Sequence, residues 1–183
     1  MHLFNLQKLR HSTIKIEGKK VLLLPEFELT DYPAKNPLSV KKASQILKRF
    51  DADIKIAGFV EENMSKFYST CIVLDNKNTN VVRKYIPSKT EKDILDPSFE
   101  RHSFLNLSIG KTIILLCSDT RLFVNDDLFI YQCLENKVSN VFLVSAWLRN
   151  FDKAIYLMNN LTKELNLRHC YIIDRFHGLK RIK

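Results

Sequence analysis

Short apolar runs separated by polar breaks set the pattern of this chain. Residues 20–24, Lys-Val-Leu-Leu-Leu, stop at Pro25 and predict a strand buried on both faces. Similar runs at 54–59, 67–74 and 81–86 predict three more, and the polar stretch 76–80 joins the last two as a hairpin. Further strands are predicted at 104–107, 112–117, 141–145 and, last, 169–173. Between them the period changes to that of a helix. Ser39 is a plausible N-cap for a helix carrying Val40, Ala43, Ile46, Leu47 and Phe50 on one face. Asp126 and Asp127 stand where acids favour the start of a helix over 128–134. Asn150 caps a third helix whose Phe151, Ala154, Ile155, Met158, Leu161 and Leu165 form an apolar stripe. The charged, irregular residues 88–101 read as a loop.

Strands that alternate with helices in places and pair directly in others predict an α/β fold of buried strands and covering helices. The 183 residues suffice for one domain, 1–183. Composition adds little: 45% apolar and 27% charged residues are ordinary for a globular protein. No apolar run approaches the roughly 20 residues of a membrane span, and residues 1–10 lack the apolar core of a secretory signal, so a cytoplasmic location and no membrane partner are expected. The net charge of +9 raises the possibility of nucleic acid. Lys and Arg are spread along the whole chain, however, with no aromatic residues interleaved, which favours a solvated basic face over a specific nucleic-acid groove.

Cys71, Cys117, Cys133 and Cys170 form no C-x-x-C pair and read as free thiols, three of them as small buried side chains. The histidines do not cluster and no Gly-rich phosphate loop exists, so neither metal nor cofactor is expected. Candidate chemistry sits at three strand ends: Glu26 after Leu24-Pro25, Lys84 after Val82-Arg83, and Cys117 closing Ile113-Ile114-Leu115-Leu116. Taken singly each is weak evidence, since a Glu after a strand is usually a solvated loop acid and a Cys in an apolar run is usually core. Together, a thiol, a carboxylate and an ammonium are the minimum set for acyl transfer through a thioester.

These segments also resemble a known family. Leu24-Pro25-Glu26-Phe27-Glu28-Leu29-Thr30-Asp31-Tyr32-Pro33 is similar to the glutamate motif of the carbon–nitrogen hydrolase (nitrilase/amidase) superfamily. Arg83-Lys84 followed by Ile86-Pro87 resembles its lysine motif, and Leu115-Leu116-Cys117-Ser118-Asp119-Thr120-Arg121 its nucleophile motif, in the family's order. Ile56-Ala57-Gly58-Phe59-Val60 and Phe67-Tyr68-Ser69-Thr70-Cys71 resemble the strands between. The departures are Ser118 where the family has Tyr or Trp, Asp31 in place of Gly, and a first strand and C-terminal strands that look absent.

The resemblance implies a four-layer α-β-β-α sandwich, incomplete at both ends. It implies a hydrolase cleaving the carbon–nitrogen bond of a small-molecule amide or nitrile. Cys117 would be nucleophile, Glu26 general base, and Lys84 with the Ser118 N–H the oxyanion site. Glu91 would be an auxiliary acid, Arg121 would bind a substrate carboxylate, and Tyr68 and Trp147 would line the pocket. Lys84 beside Cys117 would lower the thiol pKa against the opposing effect of Glu26. Uncovered sheet edges would make the protein a homodimer or higher homo-oligomer, with the stripe from Phe151 to Leu161 at the contact. The alternative is an inert protein of the same fold that acts by binding or self-association.

Overall fold

The computed structural model describes residues 9–30, 36–76, 78–100, 103–146, 148 and 150–183. They form two five-stranded sheets. In the first sheet β1 (Ser12–Ile16), β2 (Lys19–Leu24), β3 (Ile54–Asn63), β4 (Lys66–Asp75) and β5 (Asn78–Arg83) lie side by side in chain order. Only β2 and β3 run parallel, joined by a crossover containing α1 (Val40–Leu47). The second sheet has the order β10-β9-β8-β7-β6, built from β6 (Leu105–Leu107), β7 (Gly110–Leu116), β8 (Asn140–Ser145), β9 (His169–Asp174) and β10 (Gly178–Ile182). Its central three strands are parallel, connected through α2 (Asp119–Phe123), α3 (Asp127–Glu135) and α4 (Phe151–Leu165).

The layers follow from the two-residue period of each strand. Val21 and Leu23 of β2 point inward with Ile56, Val73, Ile114, Phe142 and Val144, so both sheets contribute to one central layer. Leu22 and Leu24 point the other way and pack under Ala43, Ile46 and Leu47 of α1. On the far side Leu115, Val141, Leu143 and Ile172 meet Phe129, Ile130, Met158 and Leu161 of α3 and α4. The result is the expected α-β-β-α sandwich. Caps act where the sequence places them: Ser39 Oγ, Asp126 Oδ1 and Asn150 Oδ1 each accept a backbone N–H in the first turn of their helices.

Three elements depart from the sequence pattern. A strand, β1, precedes the glutamate segment, and β10 follows the strand taken as last. Each buries only its last residue, Ile16 or Ile182, behind exposed and half-exposed positions, so neither carries a continuous apolar run. The short α2 begins right after the nucleophile segment and is too brief to show a helical period. The α4 stripe also needs correction. Ala154, Met158 and Leu161 are buried against the protein's own second sheet, with Phe151 and Ile155 packed beside them. Those three are spent on the core, while Phe151 and Ile155 are only half-buried. Among the described residues no helix is long and apolar enough to cross a membrane.

Candidate active site

Glu26, Lys84 and Cys117 each lie one or two residues beyond the end of a strand: β2, β5 and β7. Glu26 is completely buried. The turn carrying it crosses directly over Gly58 of β3, where a Cβ would come within 2.9 Å of the Pro25 carbonyl oxygen and against the Glu26 backbone. Gly58 is therefore required for close approach rather than for flexibility. Gly58→Ala should cost about 1–3 kcal/mol by overpacking and displace Glu26. A lowered melting temperature together with lost reactivity at Cys117 is the expected result; an unchanged protein would show that the turn yields.

The first sheet reaches the second through the end of β8. The Glu26 N–H donates to the Ser145 carbonyl (3.3 Å), and Glu26 Oε2 accepts the Ala146 N–H (3.2 Å). The Cys117 N–H donates to the Val144 carbonyl (3.0 Å), so consecutive residues of one strand hold both groups. Cys117 itself has φ +42°, a left-handed conformation uncommon for a side chain of its type, at a sharp strand-to-helix turn. Such strain persists where the surroundings over-determine it, and it clusters at functional sites. Thr120 fixes the turn from below, its backbone N–H (3.3 Å) and hydroxyl (2.9 Å) both donating to the Cys117 carbonyl.

Lys84 is the electrostatic centre. Its ammonium, 1% exposed, donates to Glu26 Oε1 (3.1 Å) and to both oxygens of Glu91 (3.0 and 2.8 Å). Glu91 is further held by the Ser88 N–H (2.7 Å), and Glu26 by the Ser69 hydroxyl (2.5 Å). Two carboxylates around one cation are driven apart in acidity. Burial, the largest influence on Glu26, outweighs the attraction of Lys84 and raises its pKa, with Glu91 adding to the rise. Burial also opposes ionisation of Glu91, but Lys84 and the Ser88 contacts overcome it and lower the pKa. Lys84 is raised despite its own burial, chiefly by Glu26, and stays charged. Glu91 thus carries the counter-charge, and Glu26 is the carboxyl able to exchange a proton, a division of roles set by environment.

The Cys117 thiol is pushed up to about 12, first by burial and then by the charge of Glu26; Lys84 and the nearby Ser145 hydroxyl pull the other way. This corrects the expectation of a lowered thiol pKa. At rest Cys117 is a neutral thiol, able to act as a nucleophile only after a base takes its proton. Cys117 is nevertheless the one cysteine of the four that is not fully buried.

Glu26, Glu91 and Cys117 line a cavity of about 660 Å³, with Lys84 behind its wall. Compared by sequence, the chain matches no family model and no curated protein. Compared by structure, it is similar to an amidase from Nesterenkonia sp. AN1 carrying acrylamide added to its active-site cysteine. There the TM-score is 0.65 at 14% identity over 84% of this chain and 64% of that one. It is also similar to Nit3 of Saccharomyces cerevisiae, a member of branch 10 of the nitrilase superfamily (TM-score 0.57, 18% identity, 76% of this chain and 52% of that one). A third is a glutamine-dependent NAD+ synthetase from Acinetobacter baumannii (TM-score 0.64, 18% identity, 86% of this chain and 32% of that one). The chain has the carbon–nitrogen hydrolase fold. It spans between about a third and two thirds of the length of these three proteins.

Within this carbon–nitrogen hydrolase fold the remaining expected site residues divide. Ser118 and Arg121 lie on the cavity wall. The Ser118 hydroxyl oxygen is buried and has no hydrogen-bond partner among the described residues. Tyr68 is not on the wall. Its ring lies under the Arg83 guanidinium (5.2 Å), and Arg83 forks onto Glu61 through two 2.8 Å contacts, so this tyrosine belongs to a structural ion pair. Trp147 lies outside the described residues.

Sequence reasoning passed over Ser69, Ser145, Gly58 and Asp119. The hairpin held the signal for one of them: Thr70 pairs with Arg83, so one step further puts Ser69 beside Lys84, whose N–H donates to the Ser69 carbonyl (2.8 Å).

Asp119 is buried two residues after Cys117, and its Oδ2 accepts the Tyr85 N–H (3.1 Å), tying the turn after Lys84 to the turn after Cys117. Burial raises its pKa to about 7 against the pull of the Tyr85 N–H and Lys84. A raised carboxyl favours folding while protonated. Its contribution is full below the ordinary Asp value and is lost as pH climbs through about 7. Asp119→Asn keeps an acceptor for Tyr85 without the charge. It should gain several degrees in melting temperature relative to the parent between pH 5 and pH 8. A constant difference across that range would remove Asp119 from the pH dependence.

Proposed function

We propose that the chain is an amidase-type hydrolase that cleaves the carbon–nitrogen bond of a small-molecule amide or nitrile through a thioester on Cys117. The observation that carries this reading is the meeting of a strained thiol and a buried carboxyl of raised pKa on the wall of one cavity, with a fully buried ammonium behind that wall bonded to the carboxyl.

Glu26 takes the proton of Cys117 as its sulfur attacks the amide carbon; a thiol with a pKa of about 12 is a poor nucleophile without that transfer. Charge develops on the carbonyl oxygen. The Lys84 ammonium and the Ser118 N–H would stabilise it there, and a fixed donor of this kind is worth on the order of 3 kcal/mol. The Lys84 ammonium already donates to Glu26 Oε1 and to both oxygens of Glu91, so it would reach the oxyanion by giving up the longer of its two Glu91 contacts (3.0 Å). Glu26 then returns its proton to the departing amine and deprotonates the water that cleaves the thioester. Glu91 fixes Lys84 and keeps it charged.

The test is a screen of small aliphatic amides with ammonia release as readout, for the parent chain beside Cys117→Ala. Release that persists in Cys117→Ala, or none from any amide by a parent whose Cys117 is alkylated normally, would reject the reading. The pH profile follows from Glu26. Activity should fall on acidification through a range above the usual Glu value of about 4.3, because the base protonates there. Lys84 should cause no loss on the alkaline side below pH 10, since its pKa is raised.

A further inference from the structure

The two oxygens of Glu26 are held in different ways. Oε1 accepts from two donors, the Ser69 hydroxyl (2.5 Å) and the Lys84 ammonium (3.1 Å). Among the described residues Oε2 accepts only the Ala146 N–H (3.2 Å), which leaves it an acceptor position that Oε1 lacks. Ser69 also fixes the residue that carries the ammonium, because its carbonyl accepts the Lys84 N–H (2.8 Å). One buried serine therefore touches both members of the Glu26–Lys84 pair. The two-residue period of β4 aims it. Thr70, the next residue, faces the other way and donates to Glu61 Oε2 (2.9 Å), while Ser69 is held in register opposite Val60 of β3.

We propose, resting on the hydrolase reading above, that Ser69 is a positioning residue of the reaction: its hydroxyl joins Lys84 on Oε1, so that Oε2 is the oxygen that exchanges a proton with Cys117. The proton leaves the Cys117 sulfur for Oε2 and passes from Oε2 to the departing amine, while Oε1 stays on Ser69 and Lys84. The hydroxyl also keeps that exchange within reach. Burial, the largest influence on Glu26, favours the neutral carboxyl, and the Ser69 hydrogen bond is among the contacts that oppose it. A donor to the charged form stabilises that form, so Glu26 is not locked in its protonated state. The other ionisable groups facing Glu26 are Lys84, Glu91, Asp119 and the thiols of Cys117 and Cys71. Replacing Ser69 changes none of them.

The test reads Glu26 directly. The full chain is isotope-labelled at its glutamate carboxyl carbons, and the Glu26 resonance, identified by its loss in Glu26→Gln, is followed through a pH titration. In Ser69→Ala the midpoint should rise by roughly one pH unit, an acid about ten-fold weaker. Ser69→Thr retains a hydroxyl at a strand position and should titrate with the parent. The β4 ladder is made by backbone groups, so both variants should fold, and thermal melts check that they do. A midpoint unmoved in Ser69→Ala, or moved as far in Ser69→Thr, would overturn the proposal. The acid limb of amide hydrolysis should shift by the same amount, and a limb that stays in place while the midpoint moves would overturn the role of Ser69 in the reaction. The titration itself needs no turnover. A shifted midpoint in a chain that hydrolyses nothing therefore defeats the catalytic reading and leaves the hold on Glu26 standing, whereas hydrolysis with an unmoved midpoint defeats only this proposal.

Discussion

Lys84→Met is expected to destabilise the protein by about 3–5 kcal/mol at neutral pH, the usual cost of leaving buried charge without its partner. Methionine matches the length and apolar stem of lysine, so little of the loss comes from packing. The loss comes from Glu26 and Glu91, which are left facing each other in a site where Glu26 is completely buried. The pH dependence identifies the cause. In the parent, Glu91 has a lowered pKa and contributes stability above the ordinary carboxylate range, lost as pH falls through its folded value. Glu26, with a raised pKa, is easiest to accommodate when protonated. Without Lys84 both carboxyls resist ionisation, so the deficit should be largest near pH 8 and shrink towards pH 4 as they take up protons. At about 2–4 °C per kcal/mol for a chain of this size, the melting temperature should drop by roughly 10 °C at pH 8. An equally stable variant at pH 8 would mean that the carboxyls are already neutral in the parent.

Cys117→Ala should abolish hydrolysis, a loss of at least about a thousand-fold, while changing stability by less than about 1 kcal/mol. Nucleophile removal takes away the covalent route entirely. The small stability effect follows because the turn is held by backbone groups, with the Cys117 N–H on Val144 and its carbonyl accepting from Thr120. Alkylation supplies the companion result in the parent. Cys71, Cys133 and Cys170 are buried, with Cys71 and Cys133 pushed at least as high in pKa as Cys117 and Cys170 to about 11. Iodoacetamide should therefore label Cys117 first, through access rather than a lowered pKa. Its rate should keep rising with pH well past 8.5, where an ordinary thiol levels off. Labelling of all four cysteines at one rate would indicate global opening in place of a site.

Much of the architecture was legible in the chain. Strand runs such as Val21-Leu22-Leu23-Leu24 are apolar at successive positions because both faces are covered, one by the partner sheet and one by helices. The caps Ser39, Asp126 and Asn150 were readable because a cap is a local hydrogen bond between residues two or three apart. Glu26, Lys84 and Cys117 stood out as polar groups at the ends of apolar runs, and local sequence fixed that much.

What the tertiary structure decided were quantities that depend on neighbours distant in the chain. The edge strands β1 and β10 owe their existence to the strand beside each, since half-exposed positions carry no run of their own. The α4 stripe reads the same whether it faces a second copy or its own sheet, and only packing assigned it to the core. Tyr68 was drawn away from the cavity by Arg83, a neighbour set by hairpin register. The sequence named the catalytic candidates, but not which carboxyl holds a proton or that the thiol rests protonated. Those properties come from burial and from charges contributed by residues 58 and 33 positions apart in the chain, and an acidity is a property of the assembled surroundings.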